Sequence, residues 1–265
     1  MTAISATPLL SRILTSLSLR GYHYEPSFGP GDDGGAELVR LARAFGEVFV
    51  AGGMDPDLPV LVTEPTADAP PWKPFDHPER IGWHNDFSTL ADRPVLSLAW
   101  IARGDPTPGL GDWRAASCAD VLDVLSRDSR VSLERLRREP LPFGYTDGGE
   151  PSLLPVVRST PGEAGREELR FYGRALREGA LACFGSIPAE TERLVMTVEQ
   201  AADAVGETLA ASTGALLVCH NGLSLHDRTE QTTEGGRPFR KSVLCFVERL
   251  RGRGLSSGPD GEQEG

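Results

Sequence analysis

A chain of 265 residues can bury a full hydrophobic core, and one domain is its simplest organisation. Its 38 acidic and 27 basic side chains give a net charge of −11, which argues against nucleic acid or an anionic membrane as a partner. No apolar run approaches the roughly 20 residues of a membrane span. The four scattered cysteines form no Cys-x-x-Cys pair, so we expect neither a zinc knuckle nor a disulfide framework, and we predict a cytoplasmic protein.

The first third of the chain predicts two helices, a strand and a long loop. Apolar residues recur every three or four positions over residues 7–19 and 34–49, as is typical of amphipathic helices. A short apolar run at residues 59–65 predicts a buried strand. Residues 65–82 contain too many prolines and charged residues for a regular element, and a loop of that length predicts a lid over an active site.

The remainder alternates predicted strands with two predicted helices. The helices are expected at residues 113–129 and 191–212. Strands are expected at residues 94–103, 141–145, 152–157, 168–173, 214–227 and 239–250. Because the order shows no βαβ regularity, it favours a mainly antiparallel sheet core with helices packed outside. Residues 1–250 are predicted to form a single domain, followed by a disordered tail rich in Gly, Ser and acidic residues at 251–265.

The stretch GWHNDFST, residues 82–89, carries a His and an acid two positions apart. On an extended strand such residues face the same way, so His84 and Asp86 present an imidazole and a carboxylate to one point while Asn85 turns away. A His-x-Asp pair is common by chance and is weak evidence alone. Two ligands do not hold a metal firmly, so a third must come from a distant segment.

Histidines at positions 23, 77, 220 and 226 remain as sources of the third ligand. His226 ends a strand-like run before a turn-rich loop. His220 shares its strand parity but lies too far along a straight strand to bind the same ion, so at most one of these two is a ligand. Two His and one carboxylate leave three coordination positions open, the arrangement of non-haem Fe(II) sites that bind O2 and a co-substrate.

A keto-acid co-substrate such as 2-oxoglutarate needs a fixed cation for its distal carboxylate. Arg240 lies fourteen residues after His226, at the start of the predicted return strand, where a hairpin can bring it beside the metal. Arg237 is the competing candidate, but Pro238 and two turn glycines place it in the loop.

These motifs resemble those of the Fe(II)/2-oxoglutarate-dependent oxygenases of the taurine dioxygenase and clavaminate synthase type. The phrases WHND, GALLVCHNGLSLHDRT and GRPFRKSVLCFV occur in the family's order and spacing, and the resemblance spans residues 82–247. It implies a mainly β double-stranded β-helix, the jelly-roll or cupin-like fold, with flanking helices. It also implies that His84, Asp86 and His226 bind Fe(II), that Arg240 binds the distal carboxylate of 2-oxoglutarate, and that O2 is the second co-substrate.

Two positions depart from the family's pattern. Relatives have Gly-Asp-Thr where this chain has Trp113, and the Thr hydroxyl helps to hold 2-oxoglutarate; another hydroxyl such as Ser117 could take that task. Many relatives carry a second Arg four residues after the first, gripping a substrate anion, and that position is Leu244 here. A less anionic small-molecule substrate is therefore expected. Because position 86 is Asp, we do not expect the family's halogenating variant.

Four further side chains are candidates for the substrate pocket. Trp83 and Phe87 flank the first motif and either shape the pocket or pack in the core. Arg170 and Tyr172 face one side of a predicted strand and either line the pocket or are solvated. Their placement relative to the predicted metal ligands decides between these interpretations.

The resemblance implies an oxygenase that hydroxylates or desaturates an unactivated C–H bond of a small metabolite, in natural-product or amino-acid-derived biosynthesis. Two other functions are compatible with the residues. One is a jelly-roll small-molecule binder that has lost use of the co-substrate, which Trp113 suggests. The other is a cupin-like zinc hydrolase, in which Arg240 would have no evident role. Succinate formation that depends on iron and 2-oxoglutarate separates the oxygenase from both.

Overall fold

The computed structural model describes residues 6–29, 34–51, 54–64, 76–128, 132–145, 149–160, 165–234, 237–238 and 240–251. Within these residues the helices are α1 (Ala6–Arg20), α2 (Gly34–Phe45), α3 (Cys118–Ser126), α4 (Leu133–Arg138), α5 (Gly173–Phe184) and α6 (Ala189–Val205). The strands are β1 (Tyr22–Glu25), β2 (Gly46–Val48), β3 (Leu61–Thr63), β4 (Leu96–Arg103), β5 (Trp113–Ser117), β6 (Leu141–Phe143), β7 (Ser152–Leu154), β8 (Val157–Ser159), β9 (Glu167–Leu169), β10 (Glu207–Leu209), β11 (Leu216–His220), β12 (Ser224–Arg228), β13 (Thr233–Glu234), β14 (Arg237–Pro238) and β15 (Lys241–Leu250).

Two antiparallel sheets form the body of the protein. The major sheet has the order β1-β11-β4-β15-β2, with β3 also paired to β15, and the minor sheet has the order β10-β5-β12. Ile101 and Leu217 of the major sheet share a buried cluster with Trp113 and Leu209 of the minor sheet, so the two sheets pack face to face. The predicted mainly antiparallel core with outer helices is therefore confirmed.

Helices α1 and α2 cover the outer face of the major sheet. Ile13 and Leu17 of α1, one turn apart, are buried together with Leu38 and Ala42 of α2. These side chains pack on outward-facing residues of the central strand β4, among them Leu98. Both helices were predicted from their apolar spacing, although α2 ends where β2 begins and does not extend to residue 49.

A second core lies on the outer side of the minor sheet, beneath α3, α5 and α6. The sequence does not predict α5, because two glycines at positions 173 and 179 weaken its helical pattern. The second glycine, Gly179, is required by the contact between α5 and β6. A Cβ at Gly179 would lie 2.2 Å from the carbonyl oxygen of Pro142, so only glycine lets the helix approach that strand.

The helix predicted at residues 113–129 is wrong over its first five residues. Trp113–Ser117 is β5, the central strand of the minor sheet, and the helix begins only at Cys118. The strand pairs with β10 on one side and with β12 on the other. Both partners come from residues more than ninety positions later, so local propensity could not reveal the pairing.

Two other element boundaries differ from prediction. The helix expected at residues 191–212 ends at Val205, and the chain continues into β10. The single strand expected at residues 214–227 is two strands, β11 and β12, separated by a turn at residues 221–223. That turn carries the chain from the major sheet to the minor sheet. The Asn221-Gly222 pair at this turn is the sequence signal for the change of sheet, and it was overlooked within the longer strand-like pattern.

Within the described residues, no helix combines the length and the apolar character needed to cross a membrane. Residues 65–75 of the predicted lid lie outside the described residues, as does the predicted tail beyond residue 251. The single domain over residues 1–250 stays a prediction.

Replacing Leu98 by Ala should lower the free energy of unfolding by about 2–5 kcal/mol, because the fully buried side chain would leave a cavity in the core beneath α1 and α2. Leu153, whose side chain is 64% exposed, is the matched control, and its change to Ala should cost less than about 0.5 kcal/mol. Urea unfolding followed by circular dichroism measures both. Equal losses for the two variants would contradict the assigned core.

Candidate metal centre

Two histidines from distant segments are joined by a reciprocal pair of backbone hydrogen bonds. The N–H of His84 donates to the carbonyl oxygen of His226 at 2.9 Å, and the N–H of His226 donates to that of His84 at 2.9 Å. Directly opposed residues of an antiparallel pair place their side chains on the same side. The two imidazole centroids are accordingly 4.3 Å apart. On its other side, His226 pairs with Ala115 of β5.

The carboxylate of Asp86 completes the group. Its Oδ1 lies 3.8 Å from Nε2 of His84, and its Oδ2 lies 3.5 Å from Nε2 of His226. One ligand atom from each of the three residues lies within 4.8 Å of the others, and no other cluster with this metal-ligating spacing occurs in the described part of the chain. Two imidazole nitrogens and a carboxylate oxygen are a ligand set for a divalent transition metal. We call His84, Asp86 and His226 the triad.

The hydrogen bonding of the histidines fits a metal bound through Nε2. Nδ1 of His84 lies 2.8 Å from the carbonyl oxygen of Gly82, so Nδ1 carries the proton and donates it, and Nε2 keeps its lone pair. A bond of this kind orients a metal-binding imidazole. Nε2 of His226 lies 3.5 Å from Oδ2 of Asp86, so it faces the same point as Nε2 of His84.

Burial and mutual charge set the protonation of the triad. Burial, followed by the neighbouring His226, lowers the pKa of His84 to about 4. Burial alone would raise the pKa of Asp86, but the charge of His226 and its hydrogen bond lower that pKa overall. Burial alone would lower the pKa of His226, but the charge of Asp86 raises it well above its ordinary value. The site therefore holds an ionised carboxylate, the negative charge that a divalent cation requires.

Asp227, the neighbour of His226 on β12, supports both histidines. Its Oδ1 accepts the N–H of Gly82 at 2.9 Å, and the carbonyl of Gly82 is the one that accepts from His84. Its Oδ2 accepts Nε of Arg80 at 2.5 Å. The side chain of Asp227 is fully buried, and these bonds offset its loss of hydration. Strand β12 thus holds one histidine directly and the other through Gly82.

Two buried asparagines tie the segments of the triad together. Nδ2 of Asn85 donates to the carbonyl of Ser224 at 2.7 Å, and its Oδ1 accepts the N–H of Phe171 at 2.7 Å. Oδ1 of Asn221 accepts the N–H of Asp86 at 3.3 Å. Neither asparagine was predicted as a site residue from the sequence, and neither was Asp227. The only available signal was a polar residue next to each histidine in the phrases WHND, CHNG and LHDR.

Arg240 is buried immediately before β15 and lies against Trp113. Its guanidinium carbon is 5.5 Å from the centroid of the Trp113 ring. Burial, followed by the charge of Arg228, lowers the pKa of Arg240 to about 9, so the side chain remains cationic at neutral pH. Its Nε and Nη2 have no hydrogen-bond partner in the described residues. An unpaired donor on a buried cation is costly, and a hydrogen bond from an anion would offset that cost.

The two candidates for the co-substrate hydroxyl position occupy opposite ends of β5. Trp113 pairs with Arg228 and lies next to Arg240, whereas Ser117 pairs with Ser224. They are four residue steps apart along the strand, a distance of roughly 13 Å. Ser117 lines a separate cavity of about 370 Å³ between the end of α1, α3 and α4. The structure brings Trp113, but not Ser117, to Arg240.

Trp83 and Phe87 have different surroundings. Trp83 is fully buried on the outer side of the minor sheet, where its Nε1 donates to Oδ1 of Asp203 at 2.8 Å, so it packs in the core. Phe87 has a φ of 54°, in the left-handed region, which turns the chain directly after the His-x-Asp motif. Its ring packs edge-on with Phe49 and Phe246, at centroid distances of 5.2 and 4.9 Å.

Arg170 and Tyr172 are both buried and neither is solvated. Nη1 of Arg170 donates to the carbonyl of Ser88 at 2.7 Å, and Nη2 donates to that of Ala91 at 3.1 Å, so Arg170 holds the loop that follows the triad's first two residues. The ring of Tyr172 lies 5.5 Å from the imidazole of His84 and forms a wall of the metal centre.

Leu244 lies on the inner face of the major sheet. Its neighbours Val243 and Cys245 belong to the core beneath the outer helices, so the alternation of β15 turns Leu244 toward the minor sheet, together with Phe246. Across the ladder Leu244 pairs with Ala99. Leu244 therefore shares a face of β15 with Phe246, the residue whose ring contacts Phe87.

His220 lies outside the triad, in the turn region between the two sheets. It is buried, and its Nδ1 accepts the N–H of Gly222 at 3.1 Å. Gly222 has no room for a side chain, since a Cβ there would lie 2.5 Å from Oε2 of Glu168. Burial, followed by the charge of Arg93, lowers the pKa of His220 to about 3.

Comparison with known proteins assigns the chain to a family. Residues 28–243 match the taurine catabolism dioxygenase TauD, TfdA family. The chain belongs to this family, which confirms the resemblance seen in the motifs and the prediction of a non-haem Fe(II)/2-oxoglutarate-dependent dioxygenase. No curated protein matches the sequence.

Solved structures of oxygenases share the fold. Asparagine oxygenase in complex with Fe(II), 2S,3S-3-hydroxyasparagine and succinate is 19% identical, with a TM-score of 0.69 over 91% of this chain and 79% of that one. The non-heme iron oxygenase OrfP in complex with Fe and alpha-ketoglutaric acid is 15% identical, with a TM-score of 0.63 over 91% and 79%. The PvcB protein from Pseudomonas aeruginosa is 19% identical, with a TM-score of 0.63 over 92% and 80%. These likenesses confirm the jelly-roll fold.

The depressed pKa of His220 predicts acid sensitivity. Between pH 6.5 and 3 the unfolded chain binds a proton at this position and the folded protein does not, so stability is present above pH 6.5 and is lost as the pH falls. In His220→Asn, the Asn Oδ1 can still accept from Gly222 and nothing titrates there. The free energy of unfolding is measured in urea from pH 7 to 4. It should fall less steeply with decreasing pH in the variant than in the native protein, and the two slopes should differ by about 1.4 kcal/mol per pH unit. Parallel curves for the two proteins would contradict a neutral buried His220.

Proposed function

We propose that this protein hydroxylates an unactivated C–H bond of a small amino-acid-like metabolite, with Fe(II) on His84, Asp86 and His226 and with the distal carboxylate of 2-oxoglutarate on Arg240. The observation that supports it most is the coexistence of two buried features within one fold. The triad offers three ligand atoms within 4.8 Å of one another, and Arg240 offers unsatisfied cationic donors. A metal ion needs the first, and a dicarboxylate keto acid needs both.

The contrast between Arg240 and Arg228 supports an anionic ligand at Arg240. Arg228 is also buried on the inner face of the minor sheet, but its two Nη atoms donate to main-chain carbonyls, including those of His77 at 2.8 Å and Thr229 at 3.1 Å. Arg228 is thereby satisfied by the protein. Arg240 keeps Nε and Nη2 without a partner in the described residues. These two nitrogens share one edge of the guanidinium, the edge that can bind a carboxylate through two parallel hydrogen bonds.

The chain's own residues would orient the reactants and exclude water. Fe(II) held by His84, Asp86 and His226 would supply the activation of O2 that accompanies oxidative decarboxylation of the keto acid to succinate and CO2. His84 is held in the required tautomer by Gly82, and Asp86 contributes the negative charge of the site. The ring of Tyr172 and the aromatic contact between Phe87 and Phe246 form apolar walls near the triad.

Amino-acid chemistry is favoured as the substrate class. The structural neighbours include complexes with 3-hydroxyasparagine and with dihydroxy-L-Arg. Leu244 replaces the second arginine that grips a substrate anion in many relatives, so any substrate carboxylate must be bound elsewhere in the pocket. Desaturation remains the alternative outcome of the same hydrogen abstraction.

His226→Ala should lower the affinity for Fe(II) by more than about 100-fold, since it removes one of three protein ligands. Anaerobic equilibrium dialysis measures the affinity and stoichiometry, which should be one Fe(II) per chain in the native protein. His220→Asn, a histidine change outside the triad, is the control and should bind iron normally. Unchanged iron binding in a folded His226→Ala protein would contradict the ligand assignment.

A panel of free amino acids and their amides should contain a substrate that stimulates succinate formation from 2-oxoglutarate. Stimulation should require Fe(II) and O2, and mass spectrometry should show a product heavier by one oxygen atom, or lighter by two hydrogens for desaturation. Succinate release that no amino acid or amide stimulates would overturn the substrate class and leave the oxygenase assignment intact. Hydrolytic turnover with zinc and no succinate would overturn the oxygenase assignment.

A further inference from the structure

Trp113 occupies the position from which a threonine hydroxyl helps to bind the co-substrate in relatives, and it cannot supply that bond. It contacts Arg240 instead, through the face of its ring, at 5.5 Å from the guanidinium carbon. A cation within about 6 Å of the centroid of a Trp ring is attracted to the negative face of the ring. The substitution therefore replaces a donor to the co-substrate by a contact with the arginine itself.

The Trp113 ring is itself held firmly. Trp113 pairs with Arg228 on one side of β5 and with Leu209 on the other. Its side chain is buried in the cluster between the two sheets, beside Ile101 and Leu217. A ring fixed by two ladders and by core packing is a rigid surface and not an adaptable one.

The stem of Arg240 is confined on a second side by Gly111. A Cβ at Gly111 would lie 3.0 Å from Cδ and 3.6 Å from Nε of Arg240, and the φ of Gly111 is +69°. Glycine is therefore needed there both for its backbone conformation and for the space that the arginine fills. Between Gly111 and the ring of Trp113, the guanidinium has little freedom to turn.

One edge of the Arg240 guanidinium is buried and has no hydrogen-bond partner among the described residues. Nε and Nη2 of Arg240 are two of the buried nitrogens that have no hydrogen-bond partner in the described residues. They are the pair that binds a carboxylate side-on. Neither the ring contact nor Gly111 satisfies these two donors, so the contacts that fix the arginine leave its binding edge available.

We propose that Trp113 is a positioning residue, which holds the Arg240 guanidinium against its ring so that the Nε and Nη2 edge is preset for the distal carboxylate of the co-substrate. The inference rests on the function proposed above. In this protein the contribution of the missing hydroxyl is replaced by preorganisation of the arginine. The effect of Trp113 should therefore be confined to ligands that carry a distal carboxylate.

The test compares two ligands on Fe(II)-loaded protein under anaerobic conditions by isothermal titration calorimetry. One is 2-oxoglutarate, and the other is 2-oxopentanoate, which has a methyl group where 2-oxoglutarate has its distal carboxylate. Trp113→Leu removes the aromatic face and Trp113→Phe keeps one. We expect Trp113→Leu to lower the affinity for 2-oxoglutarate by about tenfold, and Trp113→Phe to lower it by less than about threefold. Affinity for 2-oxopentanoate should change by less than about twofold in both variants.

Equal weakening of both keto acids by Trp113→Leu would show a general structural role and overturn the proposal, as would unchanged binding of 2-oxoglutarate. Trp100→Leu, a change of another buried tryptophan in the core beneath the outer helices, controls for loss of stability. If Trp113→Leu does not fold, incorporation of fluorinated tryptophan weakens the ring's negative face without changing its shape. The same selective loss of 2-oxoglutarate affinity is then expected, and its absence would overturn the proposal.

Arg240→Gln separates this inference from the function on which it depends. If it leaves the affinity for 2-oxoglutarate unchanged, the co-substrate site proposed above is wrong. If it weakens 2-oxoglutarate and spares 2-oxopentanoate, while Trp113→Leu has no effect, the site stands and only the positioning role of Trp113 fails.

Discussion

The candidate site depends on two backbone hydrogen bonds, the reciprocal pair between His84 and His226. One histidine lies in the segment before the major sheet's central strand β4, and the other lies on β12 of the minor sheet. Because the bonds involve main-chain atoms, they fix the Cα positions of both histidines whether or not a ligand is bound between the side chains. Asp86 follows two residues after His84 and reaches the same point, so a three-residue phrase and one distant strand suffice to assemble the triad.

The surroundings of the triad show how buried charge is accommodated. Asp227 accepts hydrogen bonds from a backbone N–H and from Arg80, and Arg228 donates to a series of main-chain carbonyls. Both are charges that the protein itself satisfies. Arg240 differs, because its Nε and Nη2 have no hydrogen-bond partner in the described residues. Unsatisfied buried polarity is costly to stability, and a bound ligand is its most direct explanation.

Much of the site could be read from the sequence, and the reason is geometric. The spacing of His84 and Asp86 requires only an extended backbone, and the distal His226 and Arg240 stand at the start and end of one turn-rich segment. Alternation on a strand therefore placed His84 beside Asp86, and the resemblance to the oxygenase family implied His226 as the third ligand. The structure brings the three together as expected, and it places Arg240 beside Trp113.

What the sequence did not reveal depends on long-range pairing. Residues 113–117 have a helical pattern when read alone, yet β10 and β12 make them the central strand of the minor sheet. The contact between Trp113 and Arg240 follows from that strand and could not be foreseen. Asp227, Asn85 and Asn221 act through partners far away in the chain, so nothing local distinguished them from ordinary polar residues.

The most direct test is spectroscopic and needs no substrate. Anaerobic protein is titrated with Fe(II) and then with 2-oxoglutarate, and the weak visible charge-transfer band of a keto acid chelated to ferrous iron is followed. The account predicts that the band appears in the native protein and that Asp86→Ala, which removes the triad's carboxylate, loses it at matched ligand concentrations. Iron binding without a band, even at high 2-oxoglutarate, would contradict it, because the keto acid would then have no place at the triad.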